Sequence, residues 1–366
     1  MKAIEIIEIL NQWAPPRLID EWDNTGFQIG DLEKKVNKIL ISLDLDREVY
    51  ARAVEERTDM IITHHPIIFK PLKSLTREDY KGKLICDIIK EDIAIYNAHT
   101  NLDLTEGGVN DTLAGILDVK NSEPLSIAYE EPLYKLVVFV PNSHAPMIRK
   151  VLGDLGAGWI GNYSHCTYNT KGMGTFMPRE NSNPFIGKVN ILEEVEEVKI
   201  ETITREKDLK RILNDMINSH PYEEVAYDIY PLKNKGKVYG YGRVGEIPEM
   251  HLISYLDRVK KALDTEHLIV YGNMDRFIKR VAVCGGSGSS FIHDAYLKGA
   301  DIYVTGDIKY HEAQYANELG LTIVDAGHYN TEKIILPKIK EYLKKKLTKT
   351  VEIQLYIKSS PPYAIY

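Results

Sequence analysis

The stretch "MIITHHPIIF", residues 60–69, sets two histidines, His64 and His65, directly behind an apolar run. Neighbouring side chains of an extended segment point to opposite faces. Two adjacent imidazoles therefore aim at one region only if the strand ends where they stand. Two further places carry residues of the same chemistry: His99 and Asp103 in "NAHTNLD", and His328 and Glu332 in "GHYNTE". The spacing His328-x3-Glu332 places an imidazole and a carboxylate one turn apart on a single helix face. Imidazole with carboxylate suits zinc, iron, manganese and similar divalent ions. Taken alone, a His-His pair is more often packed or exposed, and an HxxxE pair more often a surface helix contact. Three such clusters, each at the end of an expected strand, point to a metal site. With two ions side by side, His64 and His65 can each bind a different one, and Glu332 is the candidate carboxylate to bridge them.

The elements that must position these residues fall into three parts. Residues 1–129 open on an amphipathic helix and then alternate strand and helix. "KILISLDLD" is a strand, a helix begins near Arg47, and "DMIITHHP" is a second strand. "KGKLICDIIKED" is a helix, "IAIYNAHTNLD" a third strand, and a further helix starts near Val109. Such alternation predicts a mostly parallel sheet covered by helices. In open parallel sheets ligands bind outside the carboxyl ends of the strands, so clusters far apart in sequence can converge.

Residues 130–233 have another texture. "LYKLVVFVP" reads as a strand, "SHAPMIRKVLGDLGAG" as a helix, "SHCTYNTKGMGTFMPRE" and "VEEVKIETITRE" as strands, "DLKRILNDMINSH" as a helix and "EEVAYDIYPL" as a strand. The order β-α-β-β-α-β is the ferredoxin-like plan, and it predicts an inserted α+β domain. Residues 234–366 return to the α/β texture, with "RVAVCGGSGSS", "GADIYVTGD" and "LTIVDAGHYNTEKIIL" each a strand leading to a helix, and "TVEIQLYIKS" a last strand. Pro337 is expected to kink the long final helix near its first turns. The fold expected is thus a discontinuous α/β core, 1–129 with 234–366, interrupted by the insert.

Composition narrows the function. The chain has 366 residues, 44% of them hydrophobic and 27% charged, with a net charge of -7. Acidic and basic residues interleave, which argues against a nucleic-acid surface and its concentrated basic patch. The basic run "YLKKKLTK" reads as the solvated end of a helix. Cys86, Cys166 and Cys284 lie far apart with no CxxC spacing, so neither a disulfide framework nor a cysteine-ligated zinc is indicated. The reading is a reduced, cytoplasmic compartment. "MKAIEIIEILNQWAPP" lacks a signal peptide's apolar core, and no run reaches the ~18 apolar residues of a membrane span.

"IITHHPIIF", "NAHTNLD", "TGDIKYHEAQ" and "GHYNTE", with "EWDNTGFQIG" near the start, together resemble the dinuclear-metal proteins named GTP cyclohydrolase 1 type 2 homologs, in their longer form. The resemblance covers almost the whole chain. It implies metal ligands at His64, His65, Asp103, His328 and Glu332, two divalent ions per subunit (zinc, iron or manganese), a homohexameric ring with its sites facing an inner cavity, and a PII-like fold for the insert. It also implies GTP hydrolysis with ring opening, in which a metal-activated water attacks C8 of guanine. That chemistry needs a proton shuttle and a triphosphate cradle. His99 and His311 are candidates for the first, His311 having the alternative of a structural histidine. Gly285, Gly286, Ser287 and Gly288, in "CGGSGSS", are candidates for the second through their backbone N–H groups. A purely structural turn is the alternative there, since the P-loop lysine is absent. Two functions follow: a metal-dependent hydrolase acting on GTP or a related nucleotide, or a non-catalytic metal-binding or regulatory hexamer whose insert senses a small molecule.

Overall fold

The structure, a computed structural model, describes residues 1–347 and 351–358. Its described residues build three sheets in two compact units, one of Met1–Tyr129 with Tyr239–Tyr366, the other of Glu130–Val238.

The larger unit begins with two β-α-β crossovers. Strand Lys38–Ser42 leads through helix Arg47–Glu55 to strand Met60–Thr63, and that strand through helix Tyr80–Lys90 to strand Ala94–Asn97. The first of these helices starts sharply because the Asp46 carboxylate accepts from the Glu48 and Val49 amides at 3.0 Å each, a side-chain cap for otherwise unpaired donors. The three strands run parallel and in register, Ile41 beside Ile62 and Ile62 beside Tyr96. Gly26–Ile29 adds an antiparallel edge, and Glu352–Leu355, from the far end of the chain, adds a parallel one. Ile39, Ile41, Met60 and Ile62 pack on one face with helices Ala3–Trp13 and Ile335–Lys346, while Leu40, Ile61 and Ile95 pack on the other. Apolar residues on both faces explain why these strands read as continuous hydrophobic runs. Each fully buried aliphatic side chain contributes about 1.5–3 kcal/mol, so these short strands are well anchored up to the point where the histidines begin.

Sequence reading expects one sheet in this unit, and the structure has two. The second has six strands, in the order Ile269–Tyr271, Thr322–Asp325, Ile302–Gly306, Phe277–Ser287, Val238–His251, Lys120–Glu130. Its middle three are parallel. The last two are not signalled by alternation. Pro124, Gly240, Gly242, Gly245 and Pro248 interrupt them, and proline and glycine weaken any strand pattern. Phe277–Ser287 runs through the glycines read as a turn, with a register shift between Val283 and Ser287.

The final helix is divided, not kinked. His328–Glu332 and Ile335–Lys346 are separate helices. Pro337 has no N–H to donate, and its ring crowds the carbonyl four residues back, at Lys333, where the division lies. The lysines Lys344, Lys345 and Lys346 at its end are exposed, as their run suggested. No helix among the described residues is long and apolar enough to cross a membrane.

The smaller unit holds an antiparallel sheet in the order Thr167–Phe176, Glu193–Arg205, Leu133–Pro141, Tyr227–Leu232. Helices Ala145–Asp154 and Glu206–Ser219 cover one face through Leu136, Val138, Ile200, Ile212 and Met216. This is the ferredoxin-like order and pairing. The chain enters and leaves the unit at adjacent points, the Glu131 amide donating to the Lys237 carbonyl at 2.9 Å. Replacing residues 132–236 by a short Gly-Ser linker is therefore expected to leave a folded chain that still binds divalent metal. Circular dichroism melting and elemental analysis check this, and a folded deletion variant without metal would contradict it.

Candidate metal centre

His64 and His65 stand where strand Met60–Thr63 has ended. Both their backbone amides donate to the single carbonyl of Leu43, at 3.1 and 2.9 Å, so the extended alternation stops. Freed from it, the two rings turn to the same region, with centroids 5.0 Å apart. His99 sits at the N-terminal end of helix Thr100–Leu104, which carries Asp103, just past strand Ala94–Asn97. His328 and Glu332 occupy the first and last positions of the short helix that follows strand Thr322–Asp325. Strand ends from two sheets thus supply one cluster.

Its geometry resolves into overlapping sets. Glu332 Oε2 lies 2.9 Å from His65 Nε2 and 3.0 Å from His328 Nε2. Glu332 Oε1 lies 3.7 Å from His64 Nε2, which is in turn 3.6 Å from Asp103 Oδ1. His65, His328 and Glu332 form one group able to hold a cation, and His64, Asp103 and Glu332 another. His64, His65 and His99 form a third.

Each histidine is fixed by its other nitrogen. Nδ1 of His64 lies 2.8 Å from the Ala98 carbonyl, that of His65 2.8 Å from Asp44, that of His99 2.9 Å from Asp23, and that of His328 2.7 Å from Asp307. In the neutral ring, an acceptor at Nδ1 sets the tautomer that leaves Nε2 with a lone pair, and it orients the ring as metal-ligating histidines are oriented. Asp23, Asp44 and Asp307 are the residues sequence reading misses. The available signal was position, since Asp44 and Asp307 stand just past the carboxyl ends of buried strands.

The polar atoms at the centre have no hydrogen-bond partners that would explain them. His64 Nε2, Asp103 Oδ1 and Glu332 Oε2 are buried without one; the imidazoles near Glu332 Oε2 are close but outside hydrogen-bond geometry. Each such buried atom costs about 1–3 kcal/mol, a cost that a bound cation offsets. The electrostatics agree. Burial, with the Glu332 charge second, pushes the Asp103 carboxyl up to about 7. Burial also opposes charge on Glu332, yet the His65 charge and the His328 and His64 imidazoles hold it well below the usual carboxylate range. His328, despite burial, is raised to about 9 by Glu332 and Asp307. Two buried carboxylates here demand positive charge, and the donor set of nitrogen and oxygen atoms suits a divalent metal.

The cluster opens into a cavity of about 620 Å³ whose wall includes Trp22, Phe69, Tyr241 and Phe291. Tyr241 stacks on Phe291 at 5.1 Å and is tied to Asp20 through its hydroxyl at 2.6 Å.

The remaining candidates lie elsewhere or act differently. His311 is exposed on helix Tyr310–Glu318 and lines no part of this cavity. Gly285 and Ser287 do line it. The amides of Gly285, Gly286 and Gly288, however, donate to Asn110, Thr331 and Thr305 at 3.0 Å each, so these three donors are already paired within the protein. The glycines give room instead. A Cβ on Gly286 would stand 2.2 Å from Glu332 Oε1, at a φ of +65° that side chains rarely adopt.

Asp44 touches the site only through His65 Nδ1, so Asp44→Ala is expected to weaken metal affinity about 10–100-fold without unfolding the chain. Competition against a fluorescent chelator measures this, and wild-type affinity in the variant would remove Asp44 from the site.

The comparisons with known proteins agree with this architecture. The family model Duf34/NIF3 (NGG1p interacting factor 3) matches residues 1–362. A GTP cyclohydrolase 1 type 2 homolog of Halalkalibacterium halodurans is 48% identical over 93% of this chain and 92% of its own length. Another, of Bacillus subtilis, is 45% identical over 94% and 91%. The crystal structure of a Bacillus cereus protein related to NIF3 superposes with a TM-score of 0.92 at 44% identity, covering 100% of this chain and 99% of that one. The chain belongs to the Duf34/NIF3 family, with relatives that carry the name GTP cyclohydrolase 1 type 2 homolog.

Proposed function

We propose that the chain is a metal-dependent hydrolase with a two-ion centre, acting on a nitrogen heterocycle such as the guanine ring of GTP or a related nucleotide. The observation that carries this reading is the sharing of Glu332 by two ligand groups, one oxygen facing His65 and His328 and the other facing His64. A carboxylate can hold two cations at once, whereas each neutral imidazole nitrogen holds one. Divalent ions held there would supply Lewis acidity and a water acidic enough to act as a nucleophile near neutral pH.

The chain's own residues have the complementary tasks. His99, fixed through Nδ1 by Asp23, keeps Nε2 for proton transfer at the leaving nitrogen. The same contact, with those from Thr25 and Thr100, outweighs burial and lowers Asp23 well below the usual carboxylate range, so Asp23 remains an acceptor and His99 keeps its orientation. The Tyr241–Phe291 and Trp22–Phe69 pairs offer faces on which a planar ring can lie. The name of the relatives supports GTP as the first substrate to try.

The test uses protein stripped with chelator and reloaded with zinc, iron(II) or manganese(II), then incubated with GTP and a nucleotide panel. A ring-opened product is expected from at least one loaded form. His64→Ala should lose no less than the about 100-fold that loss of a supporting residue can cause. Turnover by none of the loaded forms would reassign the centre to non-catalytic metal binding.

A further inference from the structure

The unit Glu130–Val238 contains a cavity of its own, of about 400 Å³. Aromatic rings form its wall. Phe176 lies 5.8 Å and Phe185 6.4 Å from the ring of Tyr222, centroid to centroid. Both flanks of this wall are braced. His144 meets Phe185 edge-on at 5.3 Å, and His220 meets Tyr222 at 5.2 Å. His220 is neutral: its Nδ1 accepts from the Tyr222 amide at 3.1 Å, its Nε2 donates to the Phe139 carbonyl at 3.1 Å, and burial lowers its pKa.

The charge in the lining is all of one sign. Glu197, Glu223 and Glu224 line the cavity, and no lysine, arginine or histidine does. Glu197 Oε1 accepts from the Tyr222 hydroxyl at 2.9 Å. Its Oε2 lies over bare backbone, where a Cβ on Gly174 would stand 2.2 Å away. The glycine thus makes room for the carboxylate. Glu223 accepts only a neutral donor, the Asn183 amide, at 2.9 Å. Among the described residues none of the three carboxylates is paired with a lysine or arginine. Nor do they gather closely enough to chelate a bare metal ion.

We propose that this cavity binds a small organic cation, an ammonium group carried on an apolar or aromatic body. Aromatic faces attract a cation through the ring quadrupole, and carboxylates set around an apolar wall complement its charge without demanding coordination geometry. The volume lies within the range of about 300–1,000 Å³ that small-molecule sites occupy. An anionic ligand would meet three like charges and no donor cation. No residue lines both this cavity and the one beside the metal cluster, so its test does not depend on the hydrolase reading.

Two probes sharing one ring decide the matter: benzyltrimethylammonium and benzylphosphonate, titrated into the full-length protein by calorimetry. The ammonium is expected to bind saturably, and at least about tenfold more tightly than the phosphonate. Glu197→Gln, which keeps the acceptor for Tyr222 and removes the charge, should weaken it about fivefold or more. Glu224→Gln, at an exposed position that folding tolerates, should weaken it about two- to threefold and serves if the first variant does not fold. Equal or tighter binding of the phosphonate overturns the proposal. So does failure of the ammonium to saturate below about 10 mM, or wild-type affinity in both variants.

Discussion

A single buried carboxylate ties the candidate metal site together. Glu332 is almost wholly enclosed, yet its two oxygens face three imidazole nitrogens, those of His64, His65 and His328. A carboxylate in that position is costly unless positive charge is close. The surroundings are arranged to hold it there. Gly286 leaves the space its Oε1 occupies. The helix carrying it is only five residues long and ends before the division that Pro337 imposes, which fixes Glu332 at the end of a short, well-buried element.

The fold serves this constraint by bringing strand ends together. Parallel strands end with their side chains and following loops on one side, and each end here contributes different chemistry. Met60–Thr63 delivers two histidines, Ala94–Asn97 leads to His99 and Asp103, and Thr322–Asp325 leads to His328 and Glu332. Two of the imidazoles meet an aspartate from a different strand end, His65 with Asp44 just past Lys38–Ser42 and His328 with Asp307 just past Ile302–Gly306. Ligand and support on separate strands fix ring orientation more rigidly than one loop could, because both ends rest on packed cores.

The clusters His64-His65, His99 with Asp103, and His328 with Glu332 were legible in the sequence because few residue types ligate metals, and each cluster follows a strongly apolar run. The supporting aspartates were not, because an aspartate in a loop is commonplace and only the fold shows which imidazole it meets. The glycine run at 285–288 looked like a phosphate turn because the pattern of glycine after a strand has two physical uses. Only the hydrogen bonds of its amides to Asn110, Thr331 and Thr305 separate them. Strands Lys120–Glu130 and Val238–His251 escaped notice because prolines and glycines break their alternation, whereas the Ile- and Val-rich inner strands were plain. His311 shares a residue type with the site but not its place, since the helix it stands on leaves it in solvent.

If Glu332 serves two cations, anomalous diffraction at the absorption edge of the loaded metal gives two peaks, one beside His65 and His328 and one beside His64 and Asp103, with an oxygen of Glu332 directed at each. A single peak under metal excess, or two peaks with Glu332 bound to one alone, would contradict that role.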